Sequence, residues 1–95
     1  MNVYIIGSLT MLDTINIIAN LLNSKELNVR YVKKETKDFK QCVSDCYDNI
    51  EWADIIYAVK KKDGTIGNGV TYELEYAKRL KKQIVLIDTK DGIHL

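Results

Sequence analysis

Residues 54–87 decide the fold: Asp54-Ile55-Ile56-Tyr57-Ala58-Val59, a ten-residue loop from 60 to 69, Val70-Thr71-Tyr72-Glu73-Leu74-Glu75-Tyr76-Ala77-Lys78-Arg79-Leu80, and, after two lysines, Gln83-Ile84-Val85-Leu86-Ile87. The two outer runs are short, almost wholly apolar and rich in β-branched side chains, as strands covered on both faces are. Between them the apolar residues recur at helical spacing. At about 100° per residue, Val70, Leu74, Ala77 and Leu80 share one arc. Strand, helix and strand in succession make a parallel pair joined by a right-handed crossover.

The same alternation extends toward the N-terminus. Residues 2–7 (Asn-Val-Tyr-Ile-Ile-Gly) read as a buried strand, and Ser8, Leu9 and Thr10 as its turn. Met11, Ile15, Ile18 and Leu22 mark a helix over 11–23, and 27–32 a second strand. A helix over 37–51 carries Phe39, Val43, Cys46 and Ile50 on its apolar stripe, with Cys42 and Tyr47 at the flanks. The order βαβαβαβ predicts an α/β fold: a three-layer, doubly wound parallel sheet of four strands in the order 2-1-3-4, of the flavodoxin or Rossmann-like kind. Ligands of such sheets bind beyond the carboxyl ends of the strands, where the order reverses. Gly7, Ser8, Leu9 and Thr10, the loop 60–69 and Asp88 arrive there.

Glu73 is out of place for a bystander. It falls inside the apolar arc, between Ala77 and Leu80, whereas Glu75 points to the opposite side. A carboxylate on a core-facing stripe is costly unless it is paired, hydrogen-bonded or used. Just before it, Gly64-Thr65-Ile66-Gly67-Asn68-Gly69 reads as a flexible loop delivering exposed amides to a helix start, a place suited to an anion. Lys60, Lys61 and Lys62 nearby favour a phosphate-bearing ligand, although the same lysines also fit a solvated loop. Ser8 can cap the first helix or donate to a phosphate or sugar hydroxyl. Gly7 lets a ligand approach the backbone. Tyr4 is core by position, yet lies near the carboxyl end of its strand. Asp54 opens the third strand at the remote end and reads as structural. Neither the dinucleotide fingerprint nor the phosphate-loop pattern is present.

The bulk numbers narrow the function. Ninety-five residues suit one domain, and 46% hydrophobic with 28% charged residues fit an ordinary globular chain. A net charge of +1 gives no field for nucleic acid. No apolar run approaches the roughly 20 residues of a membrane span. No signal-peptide pattern opens the chain, so a cytoplasmic location is expected. Cys42 and Cys46, four apart on one helix, read as small buried hydrophobes: a disulfide at that spacing is geometrically poor, and the single histidine, His94, gives no metal set. No cofactor or metal is expected. Exposed sheet edges and spare apolar residues such as Tyr72 and Tyr76 predict a homodimer or higher homo-oligomer.

At this point three segments together resemble the nucleoside 2-deoxyribosyltransferase-like family, which includes the 2′-deoxynucleoside 5′-phosphate N-hydrolases. They are Gly69-Val70-Thr71-Tyr72-Glu73-Leu74-Glu75-Tyr76-Ala77, the opening Tyr4-Ile5-Ile6-Gly7-Ser8, and Ile50-Glu51-Trp52-Ala53-Asp54-Ile55-Ile56. The resemblance implies that Glu73 is the nucleophile at the anomeric carbon of a 2-deoxyribose, in a double displacement like that of retaining glycosidases. It implies a ligand-contacting Ser8, a pocket-lining Tyr4, and a 5′-phosphate held by the amides of Gly67 and Asn68, beside Gly69. Where the family usually has an aspartate on the second helix, this chain has Cys46, with Asp45 next to it as the candidate acid. Gly67 stands where members often have aspartate or serine, and Glu75 replaces a common glycine. Members also continue beyond the fourth strand, so a neighbouring subunit is expected to complete the pocket. The activity implied is cleavage or transfer at the N-glycosidic bond of a (deoxy)nucleoside or its 5′-phosphate. The alternatives are a module that binds a nucleotide or ADP-ribose-like signal without turning it over, and an interaction domain in which Glu73 is inert.

Overall fold

A computed structural model of the chain describes residues 1–31 and 39–89; the side chains of Leu9 and of residues 39–44 lie outside that description. The elements run β1 (Asn2–Gly7), α1 (Leu12–Asn23), β2 (Asn28–Tyr31), α2 (Phe39–Trp52), β3 (Ile55–Val59), α3 (Asn68–Arg79) and β4 (Gln83–Ile87). All strand pairs are parallel, and the sheet order is β2-β1-β3-β4. Val32, Lys37 and His94 of the sequence reading lie outside the described residues, as do the side chains of Phe39, Cys42 and Val43.

Alternation along the strands divides the core into two layers. Val3 and Ile5 of β1, with Val59 and Ile87, face α1 and pack on Ile15, Ile18, Ala19 and Leu22. Tyr4 and Ile6, with Ile56 and Ala58, face α2 and α3 and pack on Ile50, Val70, Leu74 and Ala77. The amino end of the sheet is tied by Asp54: its Oδ2 accepts from the Asn2 amide at 2.8 Å, and its own amide donates to the Asn2 carbonyl at 2.8 Å.

Three helix ends differ from the sequence reading. A short 3-10 turn (Leu9–Met11) precedes α1, closed by the Met11 amide on the Ser8 carbonyl at 2.9 Å, so Ser8 does not cap α1. Helix α3 starts at Asn68, because Gly67 takes an extended N-cap conformation; Asn68 and Gly69 are thus inside the first turn. The helix also ends before Leu80, which is 40% exposed and no part of the apolar stripe. There Lys81 adopts φ 58°, and the Lys82 and Lys81 amides donate to the carbonyls of Ala77 and Lys78. This is the Schellman closure, achieved without the usual glycine.

Gly7 is needed for packing. A Cβ at Gly7 would lie 3.0 Å from Ile15 Cδ1, 3.3 Å from Val59 Cβ and 3.4 Å from the Val59 carbonyl oxygen. The missing side chain lets α1 seat against β1 and β3. Gly7→Ala is expected to lower stability by about 1–3 kcal/mol, read as a fall in the urea midpoint. An unchanged midpoint would show that the close packing at Gly7 does not require glycine.

Tyr76 is not spare surface either. Its ring stacks on Tyr47 at 4.2 Å between centroids, with an interplanar angle of 17°, and its hydroxyl donates to Glu51. The pair joins α2 to α3 and fixes the spacing of the two helices over Tyr4.

Candidate active site

Strands β1 and β3 are neighbours, but β1 leads on to the edge strand β2 and β3 to the opposite edge, β4. Their carboxyl ends therefore part, and the departing chains leave a crevice. Three elements bring polar groups near one another in the layer beneath α2 and α3.

From β1 comes Tyr4, which is 0% exposed. Its hydroxyl is buried without a hydrogen-bond partner. Cys46 and Asn49 of α2 lie close enough to bias its proton, but neither meets hydrogen-bond geometry at the oxygen. Burial is the main force driving its pKa far above the ordinary phenol value, and the nearby Cys46 and Glu73 push the same way. Burial thus favours the neutral, proton-bearing hydroxyl.

From α3 comes Glu73, half-buried at the sixth position of the helix. Burial raises its pKa above the usual carboxylate value, and a hydrogen bond with Cys46 opposes that shift. From α2 comes Cys46 itself, also half-buried. Cys46 is thus less buried than the small core hydrophobe expected from the sequence. Asp45, the preceding residue, is half-buried on α2.

The first turn of α3 supplies the second half of the site. No side chain caps it, and its first turn holds no acidic residue. A Cβ on Gly69 would meet nothing within 4 Å, so this glycine leaves open space over the turn. At Gly67 the Lys61 side chain closes in, its Cε and Nζ lying 3.5 and 3.7 Å from where a Cβ would stand. A cation beside the positive end of a helix dipole is unfavourable until an anion joins them.

The preceding loop is a built turn and not the flexible linker expected from its glycines. The Lys61 amide donates to the Thr65 carbonyl at 2.9 Å, and the Gly64 amide to the Lys61 carbonyl at 2.8 Å. Asp63 Oδ1 accepts from the Thr65 amide at 2.9 Å and from its hydroxyl at 2.6 Å. Those two bonds hold the Asp63 carboxyl below its ordinary pKa. Only Gly64, at φ 83°, uses glycine's conformational freedom here.

Ser8 and Thr10 are joined, hydroxyl to hydroxyl, at 2.9 Å, and the Thr10 amide donates to Ser8 Oγ at 3.3 Å. Thr10, Met11, Lys61, Lys62 and Asp63 line a cleft of about 320 Å³. Glu73 does not line it, so Lys61 is the link between the cleft and the α3 terminus. Asp88 is exposed just beyond β4.

Asn49 was not anticipated. It lies three residues after Cys46, hence on the same face of α2, and that spacing was a usable signal. Its Oδ1 accepts from Arg30 Nη1 at 3.3 Å, while the Arg30 guanidinium lies 4.0 Å from the centre of the Trp52 ring. The edge strand β2 thus fixes the carboxamide near Tyr4.

The parallel 2-1-3-4 arrangement is shared with solved structures of nucleoside-processing enzymes. The chain is similar to a CMP N-glycosidase from Clostridium botulinum, with TM-score 0.68 and 21% identity over 90% of this chain and 70% of that one. It is similar to a 2-deoxyribosyltransferase from Leishmania mexicana, with TM-score 0.77 and 20% identity over 94% of this chain and 65% of that one. A 2-deoxyribosyltransferase from Bacillus psychrosaccharolyticus gives TM-score 0.71 and 18% identity over 100% of this chain and 77% of that one. No family model matches the sequence, and no curated protein matches it. Among the described residues, no helix is long and apolar enough to cross a membrane.

Proposed function

We propose that the chain breaks or transfers the N-glycosidic bond of a (deoxy)nucleoside or its 5′-phosphate, with Glu73 as nucleophile. The observation that carries this reading is a half-buried carboxylate beside a fully buried, unpartnered tyrosine hydroxyl. The fold is shared with a CMP N-glycosidase and two 2-deoxyribosyltransferases, which supports the substrate class.

In the first step a Glu73 oxygen attacks C1′ of the sugar. A C1′–O bond forms, the C1′–N bond breaks, and the base leaves with the electron pair and takes up a proton. Asp45, the carboxyl adjacent in sequence to Cys46, is proposed to deliver that proton. In the second step water, or the nitrogen of another base, attacks C1′ from the opposite face and gives its proton to Asp45, and the C1′–O bond breaks to free Glu73. The ionised carboxylate is the reactive form, so the acid limb of the rate profile reports its raised pKa. The test is release of free base from a panel of nucleosides and nucleoside 5′-monophosphates, with and without a second base as acceptor. No release from any of them at high protein concentration would exclude the reaction.

The uncapped α3 turn, Lys61, Ser8 and Thr10 are proposed to hold the 5′ side of the ligand. If a 5′-phosphate sits there, Lys61→Ala raises KM for the nucleotide by about tenfold and leaves the unphosphorylated nucleoside unaffected. Equal changes for both substrates would remove the phosphate from that place. Tyr72 and Leu86, 68% and 52% exposed, leave apolar surface for a second copy of the chain.

A further inference from the structure

The two edges of the sheet differ in how they are protected. β2 is four residues long and carries Arg30. β4, the other edge among the described residues, is Gln83-Ile84-Val85-Leu86-Ile87, with no charge, proline or glycine in it. Charged side chains and prolines are the usual guards against edge-to-edge pairing, so β4 is the unguarded edge. Ile84 and Val85 are only half-buried, and Leu86 is 52% exposed. We propose that β4 pairs antiparallel with β4 of a second copy of the chain, about a two-fold axis at Val85, and so joins two four-stranded sheets into one. The inference sharpens the second-copy reading of Leu86 and is independent of the reaction assigned to Glu73.

Backbone direction and charge select this register. The Lys60 amide donates to the Ile87 carbonyl at 2.9 Å, so Ile87 turns its polar backbone groups toward β3. Successive residues of a strand turn those groups to alternate sides. Gln83 and Val85 therefore also face β3, and Ile84 and Leu86 face the open edge. An axis at Val85 sets the two copies of Val85 opposite each other as a non-hydrogen-bonded pair. It sets each Ile84 opposite the partner's Leu86 as a hydrogen-bonded pair, which satisfies the outward N–H and C=O groups of both. Ile84 belongs to the layer under α2 and α3, so the exposed Leu86 meets the partner's Ile84 on that face. Charge fixes the direction. Lys81 and Lys82 precede β4 and Asp88 follows it. The same axis places Lys82 opposite the partner's Asp88, twice, whereas a parallel pair would set lysine beside lysine. Lys82 Nζ also reaches the Glu51 carbonyl at 3.1 Å, so the ion pairs orient the strands while backbone and apolar contacts hold them.

The test is sedimentation of the chain at concentrations reaching about 1 mM, because one strand pair lies at the small end of specific interfaces. A monomer–dimer equilibrium is expected. Leu86→Lys puts a charge on the edge, and Leu86→Pro removes an N–H that β3 does not use. Each should weaken dimerisation by at least about tenfold, while circular dichroism shows the native helix content. Asp88→Lys should weaken it by about tenfold at low salt, and adding Lys82→Asp should restore it. Register is read by Val85→Cys. A non-hydrogen-bonded pair holds its Cα atoms about 4.5 Å apart, within disulfide reach. This variant should oxidise to a covalent dimer joined at position 85, identified by mass spectrometry of the linked peptide, and Leu86→Cys should not link to itself. A self-link at 86 with none at 85 would overturn the proposal. A chain that stays monomeric throughout would overturn both the proposal and the second-copy reading. A dimer insensitive to every β4 variant would overturn the proposal alone and move the contact to another face. Base release decides the reaction at Glu73 separately.

Discussion

Glu73→Gln is expected to reduce base release by at least about a thousandfold in kcat/KM while leaving the protein folded and somewhat more stable at neutral pH. The amide has nearly the shape of the acid but cannot form the ester to C1′. A group supplying only binding or orientation would be partly replaced by glutamine, and the loss would be far smaller. The stability change follows from linkage. The folded state holds the Glu73 proton more tightly than the unfolded chain, because burial raises its pKa. Its contribution is therefore fully present below the unfolded value of about 4.3 and is lost as pH rises through the folded value. The glutamine variant, which cannot ionise, escapes that loss. Its advantage in thermal midpoint should be visible at pH 7 and fade toward pH 4. A variant that is less stable at pH 7 and retains base release would show that the carboxylate is a structural partner and no nucleophile.

Much of this was legible before any coordinates, for reasons that can be located. β4 is delimited in sequence by Lys82 on one side and Asp88 on the other, and its apolar run leaves no freedom in its ends. The strand order follows from the alternation of elements and from crossover handedness. Glu73 stood out because a 3.6-residue period assigns every residue of α3 an azimuth, and charge on the buried arc is anomalous. Other features were illegible for equally definite reasons. The start of α3 depends on Gly67 adopting an extended cap, which no side chain announces. The demand for glycine at position 7 comes from Ile15 and Val59, eight and 52 residues away, and only packing brings them to one point. The Tyr47–Tyr76 stack depends on how α2 leans on α3, and nothing in either helix's period announces it. Period arguments find which face a residue occupies; they do not find its partner across a helix interface.

Tyr4→Phe should separate stability from activity most sharply, with the two moving in opposite directions. A buried hydroxyl without a partner costs the fold about 1–3 kcal/mol relative to an apolar atom of the same shape. Tyr4 has its ring in the layer formed by Ile6, Ile56, Leu74 and Ala77, where phenylalanine would fit equally well. Removing the oxygen should therefore raise the thermal midpoint and the urea midpoint. Chains keep such an oxygen when it is satisfied in a state other than the empty one, and stability is commonly sacrificed at sites in this way. In the proposed reaction that state is the complex, in which the hydroxyl donates either to the Glu73 carboxylate or to an oxygen of the sugar. Burial favours retention of its proton, so it can serve as a donor. A hydrogen bond to a charged group contributes about 1.5–3 kcal/mol, so base release should fall by roughly ten- to a hundredfold. The loss should appear in kcat more than in KM if the bond tightens as charge moves off Glu73 in the transition state. A phenylalanine variant that is both more stable and fully active would mean that the hydroxyl meets no ligand, and the crevice would lose the polar group that most clearly distinguishes it from core.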